Sequence, residues 1–236
     1  MKKNSAIAIL GGMGPQASAK MLEVMVSLAA SEFGAKDGVD FPEILLDSVP
    51  VPDFIANRKS VFVASKMLQN RVLKLNMFDV SCFGIACNTA HILLKDLETI
   101  SDAPFVSMVD AVCIAVKREG IARVGILATP STIKIGLYQD ALARFSIKVI
   151  FPNSTEIDEM EKIIRGVIAG KILTPDSERL KKIAESLRLM GAEGIILGCT
   201  EIALIFPKNF SLPVFGSIEI LARALLSKHY FKEGKL

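Results

Sequence analysis

Apolar runs and amphipathic stretches alternate along the chain from its first residues to its last. Residues 6–10, Ala-Ile-Ala-Ile-Leu, are wholly apolar and read as a strand buried on both faces. A helical pattern follows over residues 16–31, then a second strand at 43–47 and an amphipathic helix at 60–75. Residues 80–86 form another short apolar run, followed by a helical pattern to about residue 100. A proline-led strand at 104–108 and a helix at 109–118 close the first half.

The second half repeats that plan. Residues 123–127 read as a strand, with 128–132 as its terminal loop in the place of 11–15. A strand at 147–150 ends in the loop 151–153, and helices follow at 156–169 and 176–190. The apolar run at 194–198 matches 80–86, and 212–217 matches 103–107. A final helix is predicted at 218–230. Alternating strands and helices imply parallel sheets with right-handed crossovers. The expected fold class is therefore α/β, with two pseudo-symmetric flavodoxin-like units. The predicted boundaries are 1–104 and 216–236 for the first unit and 105–215 for the second, the last helix crossing back to the first. Ligands of such sheets sit beyond the carboxyl ends of the strands, so an active-site cleft between the units is expected.

The two apolar runs that match across the halves each lead into a cysteine. Cys87 is followed by Asn88-Thr89-Ala90-His91, and Cys199 by Thr200-Glu201-Ile202. Asn, Thr and Ser types favour helix starts, and an apolar helical pattern comes next in both places. Each cysteine is thus placed between a strand end and a helix start, where free N–H groups and the helix dipole favour a thiolate. Most free cysteines are inert packing. Cys82, inside a strand pattern, and Cys113, inside a helix pattern, fit that description. Two cysteines in matching turns do not.

Composition narrows the class. Of 236 residues, 51% are hydrophobic and 22% charged, as in a globular chain rather than a disordered one. A net charge of +3, evenly spread, does not suit nucleic acid. No apolar run of about 18 residues exists, so no membrane span is expected. Met1-Lys2-Lys3 and the following apolar run lack a cleavage-type site and read as a first strand, not a signal peptide. Four cysteines in a chain of this length are not a disulfide framework, and no Cys-x-x-Cys or His-rich spacing suggests a metal. The expected compartment is the cytoplasm. The turn Gly11-Gly12-Met13-Gly14-Pro15 lets backbone N–H groups approach an anion, but it lacks the spacing of a dinucleotide fingerprint.

Two opposed thiols suit stereoinversion. One thiolate removes a proton from a stereocentre, and the opposite thiol returns a proton to the other face. The carbanion needs fixed donors, which the turn 11–14, Asn88, Thr89, residues 129–132 and Thr200 can supply. No lysine sits in a turn resembling a pyridoxal phosphate anchor, so no cofactor is expected.

At these residues the sequence resembles the aspartate/glutamate racemase superfamily, most closely its aspartate racemase-type branch. The matching motifs are Leu10-Gly11-Gly12-Met13-Gly14-Pro15, Cys87-Asn88-Thr89-Ala90-His91, Leu127-Ala128-Thr129 and Gly198-Cys199-Thr200-Glu201. The resemblance implies an isomerase: a cofactor-independent amino-acid racemase, with Cys87 and Cys199 as acid/base groups and aspartate or a related amino acid as substrate. It places Gly12, Met13, Asn88, Thr89, Thr129, Ser131, Thr132, Thr200 and Glu201 about the substrate, and it implies a homodimer. Glu201 replaces the histidine usual in glutamate racemases and is expected to orient the Cys199 thiol or the substrate ammonium. His91 is expected to be structural. Two departures bear on the substrate: Phe54 and Ile168 stand where aspartate racemases of this type tend to carry cations. Arg58, Lys59 or Lys171 are candidate substitutes. The alternatives are a hydantoin-type racemase, a dicarboxylate cis–trans isomerase, a decarboxylase, which would need only one cysteine, or a non-catalytic small-molecule binding module.

Overall fold

Each cysteine-bearing strand lies beside the first strand of its own parallel sheet. The computed structural model describes residues 5–52 and 58–231, and the chain in it divides into two compact units. The first unit comprises residues 1–108 and 218–236 and the second residues 109–217. In the first unit, β1 (Ala6–Gly11) is central, flanked by β2 (Ile44–Ser48) and β3 (Val80–Ile85) in the order β2-β1-β3. Both pairings are parallel, with Leu10 opposite Asp47 on one side and Ile85 on the other. In the second unit, β4 (Arg123–Ala128), β5 (Lys148–Ile150), β6 (Gly194–Gly198) and β7 (Val214–Gly216) are ordered β5-β4-β6-β7, again all parallel. Counted from the start of each unit, both sheets run second-first-third, the doubly wound order of flavodoxin-like folds.

The strands form because they are apolar on both faces: every residue of β1 and β6 is buried. Helices α1 (Pro15–Glu32) and α2 (Arg58–Leu75) belong to the first unit. Leu68, Val72 and Leu75 of α2 join Ala8, Leu10, Phe83, Ile85 and Cys87 in one core. The later helices are α3 (Leu94–Glu98), α4 (Met108–Arg118), α5 (Pro130–Ile135), α6 (Leu137–Ala143), α7 (Ser154–Ile168), α8 (Thr174–Leu189), α9 (Thr200–Ile205) and α10 (Ser217–Tyr230). In the second unit, Met160, Ile163, Ile164 and Val167 of α7 pack with Leu180, Ile183 and Leu187 of α8 against Leu127, Leu197, Cys199 and Ile202. Helix α10 docks on the first unit: the Leu225 carbonyl accepts from the Cys82 thiol at 3.8 Å, and Arg223 pairs with Glu32 at 2.7 Å.

Three local departures from the sequence reading have physical causes. The stretch after Cys87 is not one helix but a 3-10 turn, Thr89–Leu93, followed by the short α3. The expected strand at 104–108 is a single parallel bridge from Phe83 to Phe105. Pro104 has no N–H to give the ladder, and α4 already begins at Met108. Residues 130–132, expected in a loop, open α5, with proline at its first position, where a missing N–H costs nothing. Helix α6, entered through Gly136 at φ 80°, has no counterpart in the expected elements.

Candidate active site

The two cysteine turns are built alike up to the cysteine and differently beyond it. In the first unit the Ala86 N–H donates to the Leu10 carbonyl at 2.9 Å, which holds the end of β3 against β1. Cys87 follows, only 8% exposed. Asn88, a residue type expected at a helix start, is helical at φ −62°, ψ −53°, and its side chain does not cap the turn that follows. The reason is His91. Its Nδ1 lies 2.8 Å from the Cys87 carbonyl, and the Met108 N–H donates to its Nε2 at 2.9 Å. An Nε2 that accepts carries no proton, so Nδ1 holds the ring hydrogen and donates it to Cys87. That occupies the carbonyl an α-helical His91 N–H would use. The N–H goes to the Asn88 carbonyl instead, at 3.0 Å, and the turn becomes 3-10. His91 is thus the clamp between the Cys87 turn and the start of α4, in line with a structural role.

The neighbouring turn after β1 is held as tightly. The Gly12 N–H donates to Ser18 Oγ at 2.8 Å, and that hydroxyl donates to the Gly14 carbonyl at 3.1 Å. Gly12 is therefore required for its conformation, φ 90°, and for the approach of Val49, whose N would lie 2.4 Å from an added Cβ. As a ligand donor, the role expected of it, its N–H is already engaged. Met13 is half-buried and packs on the first unit's core. Asn88 and Thr89 are buried, at 2% and 6% exposure. Gly12, Met13, Cys87, Asn88 and Thr89 thus gather at the carboxyl ends of β1 and β3.

In the second unit, Cys199 directly follows β6 and caps α9 in an extended conformation, φ −136°, ψ 129°. The thiol is 3% exposed and donates to Glu201 Oε2 at 3.2 Å. The Thr200 hydroxyl donates to the same oxygen at 2.9 Å, so it faces Glu201. Burial, the Glu201 charge and the hydrogen bond to that carboxylate push the Cys199 thiol well above its ordinary pKa. The N–H groups of Glu201 and Ile202 pull the other way, as expected of a helix start, and are outweighed. The expectation of a stabilised thiolate is corrected here: Cys199 is held as a neutral thiol. Cys82 and Cys113, read as packing, are fully buried, and burial raises them to about 11 and about 12.

Thr129 caps α5: its Oγ1 accepts the Thr132 N–H at 3.1 Å and donates to Thr132 Oγ1 at 3.0 Å. Ser131 is half-buried beside them. Thr129, Ser131, Thr132, Cys199, Thr200 and Glu201 gather at the ends of β4 and β6, where Ala128 pairs with Gly198. Two residues went unnoticed in the sequence. Ser18 anchors the Gly12 turn, and its place four residues after Gly14 was the available signal. Tyr138 of α6 is fully buried, and its hydroxyl is pushed up by burial and by Cys113 and Cys199. Among the described residues no cluster of three or more His, Cys, Asp or Glu is placed to hold a metal. No helix among them is long and apolar enough to cross a membrane. Phe54, and the side chains of Arg58 and Lys59, lie outside the described residues. Ile168 ends α7, and Lys171 is exposed just beyond it.

A family model for Asp/Glu/hydantoin racemases matches residues 10–225. The chain belongs to that family. As an enzyme it is an isomerase of the racemase type. It is similar to a broad-specificity amino-acid racemase of Bacillus subtilis, 22% identical over 230 residues, which cover 94% of this chain and 97% of the relative. The fold of this racemase-family chain is similar to that of an aspartate racemase homologue from Pyrococcus horikoshii, with TM-score 0.81 and 27% identity over 95% of this chain and 99% of that one. It is similar as well to Picrophilus torridus aspartate racemase, with TM-score 0.82 and 27% identity over 95% of this chain and 94% of that one.

Proposed function

We propose that the protein is a pyridoxal-phosphate-independent amino-acid racemase in which Cys87 and Cys199 act on opposite faces of one α-carbon. One thiolate takes the α-proton, and the bond's electron pair stays on carbon beside the carboxylate. The opposite thiol then delivers its own proton to the other face. The observation that carries this reading is the recurrence of one cysteine at the carboxyl end of the strand beside the first strand, in both units. Fixed donors about the carboxylate, with Met13, Asn88, Thr89, Ser131 and Thr132 as candidates, stabilise the charge that develops. The substrate is aspartate or a related amino acid, the product its mirror image, and the working form a cytoplasmic homodimer. Family membership and the amino-acid racemases among its relatives support the reaction class.

The test is chiral chromatography of single-enantiomer amino acids incubated with protein freed of carbonyl cofactors. Appearance of the opposite enantiomer, insensitive to carbonyl reagents, is expected for at least one substrate. A panel of all common amino acids left optically pure would refute the proposal.

A further inference from the structure

The second unit carries a recess away from its cysteine. The recess holds about 560 Å³, within the size range of small-molecule sites, and is open to solvent on one side. One wall is a single face of α8, where Lys181, Glu185 and Arg188 follow one another at helical spacing. Asn209, Phe210 and Ser211, from the loop before β7, line the rest. All of these residues belong to the second unit. The loop ends at Pro213, whose carbonyl accepts the Ile195 N–H at 2.9 Å, so the recess lies beside the amino ends of β6 and β7. Cys199 follows the opposite, carboxyl end of β6, and the five residues of that strand span about 15 Å. A ligand in the recess is therefore not in contact with Cys199.

The lining suits an anion with a flat body. Arg188 Nε donates to Glu185 Oε1 at 2.8 Å, so the charges of that pair offset each other. Lys181, one turn earlier and exposed, then gives the wall its net positive charge. Phe210 is half-buried and packs on the core of the unit. Its ring meets that of Phe206 edge-on, with centroids 5.6 Å apart and planes at 69°, which holds it in one orientation. An aromatic body gains contact area from a ring fixed in this way, and a carboxylate gains a charge-assisted hydrogen bond from the ammonium beside it. Asn209 and Ser211 are exposed on either side of Phe210 in the sequence and bring an amide and a hydroxyl to the same rim. We propose that the recess is a second ligand site, taking a small aromatic carboxylate. Its carboxylate pairs with Lys181, its ring lies against Phe210, and Asn209 and Ser211 hydrogen-bond its remaining polar atoms. The proposal does not depend on the racemase reading, because no group of the cysteine turns takes part.

The experiment uses a fluorescent probe. The chain contains no tryptophan, so the emission of an indole excited beyond the tyrosine band is the probe's own. Indole-3-acetate, which has the carboxylate and no ammonium, is titrated with the full-length protein. A saturable change in its emission is expected at millimolar concentration or below, with one site per chain. Lys181→Gln, a change at an exposed side chain, is expected to weaken binding about fivefold or more. Indole-3-acetamide, the neutral analogue, is expected to bind the unaltered protein as weakly as indole-3-acetate binds Lys181→Gln. Phe210→Leu keeps an apolar side chain on the core and removes the ring, and is expected to weaken both probes alike. Should Phe210→Leu fail to fold, the Lys181→Gln and acetamide comparisons decide alone. The absence of a saturable change, equal affinity for the acetate and the acetamide, or an affinity for the acetate unchanged in Lys181→Gln would each overturn the proposal.

Discussion

Removing the His91 imidazole tests how the Cys87 turn is held. In His91→Ala the Met108 N–H loses its acceptor and the Cys87 carbonyl loses its donor, both in buried surroundings. A buried polar group left without its partner costs about 1–3 kcal/mol, so the two together cost about 2–6 kcal/mol before any cavity is counted. For a chain of this length each kcal/mol lowers the melting temperature by about 2–4 °C, so a fall of at least about 4 °C is expected. Two conservative variants divide the effect. His91→Asn can restore the donor to Cys87 but not the acceptor for Met108, and His91→Gln the reverse. Each should melt between His91→Ala and the unaltered protein. The assay is thermal unfolding by circular dichroism, paired with the pH–rate profile of racemisation. The clamp predicts a lower rate in His91→Ala with both limbs of the profile retained. A melting temperature within about 1 °C of the original, or loss of one limb with stability unchanged, would refute it and make His91 a proton-transfer group.

Other outcomes follow from the same geometry. The Cys113 thiol sits at about 12 in the folded protein against an ordinary 9.0, so its contribution to stability is complete below pH 9 and is lost as pH rises towards 12. The loss is about 1.4 kcal/mol per pH unit, and urea midpoints between about pH 8 and about pH 11 should fall less steeply in Cys113→Ala; parallel curves would contradict the assignment. Gly12→Ala should destabilise far more than Gly34→Ala: both glycines have positive φ, 90° and 79°, but only Gly12 meets backbone atoms at the Cβ position. Equal losses in urea titrations would mean that the Val49 contact yields freely. Ile168→Lys should raise kcat/KM for aspartate relative to alanine if this position faces the substrate side chain. An unchanged ratio would remove Ile168 from the specificity determinants.

Much of the fold was legible because its strands are apolar on both faces. Residues 6–10, 80–86 and 194–198 needed no more than that, and their recurrence in order gave the two-unit plan and the places of Cys87 and Cys199. What was not legible depends on pairs distant in sequence or on competition for one hydrogen bond. Helix propensity continues smoothly past Asn88, and only the side chain of His91, reaching back to the Cys87 carbonyl, turns that stretch into a 3-10 turn. The strand expected at 104–108 is cut to one bridge by the start of α4 at Met108, whose N–H His91 holds. A helix start after Cys199 argued for a thiolate. Burial of the thiol, and after it the carboxylate two residues on, outweigh the N–H groups and reverse the sign. Gly12 was legible as a special backbone position. That its N–H serves Ser18 was not, since the hydroxyl returns from one turn along α1.

The central claim is that both cysteines move the α-proton. The most direct measurement is proton NMR in D2O of single-enantiomer amino acids, aspartate and glutamate included, with the unaltered protein, Cys87→Ser and Cys199→Ser. Loss of the α-proton signal with accumulation of the opposite enantiomer, abolished by either substitution, is the predicted result. Racemisation that survives intact in either variant would contradict the account.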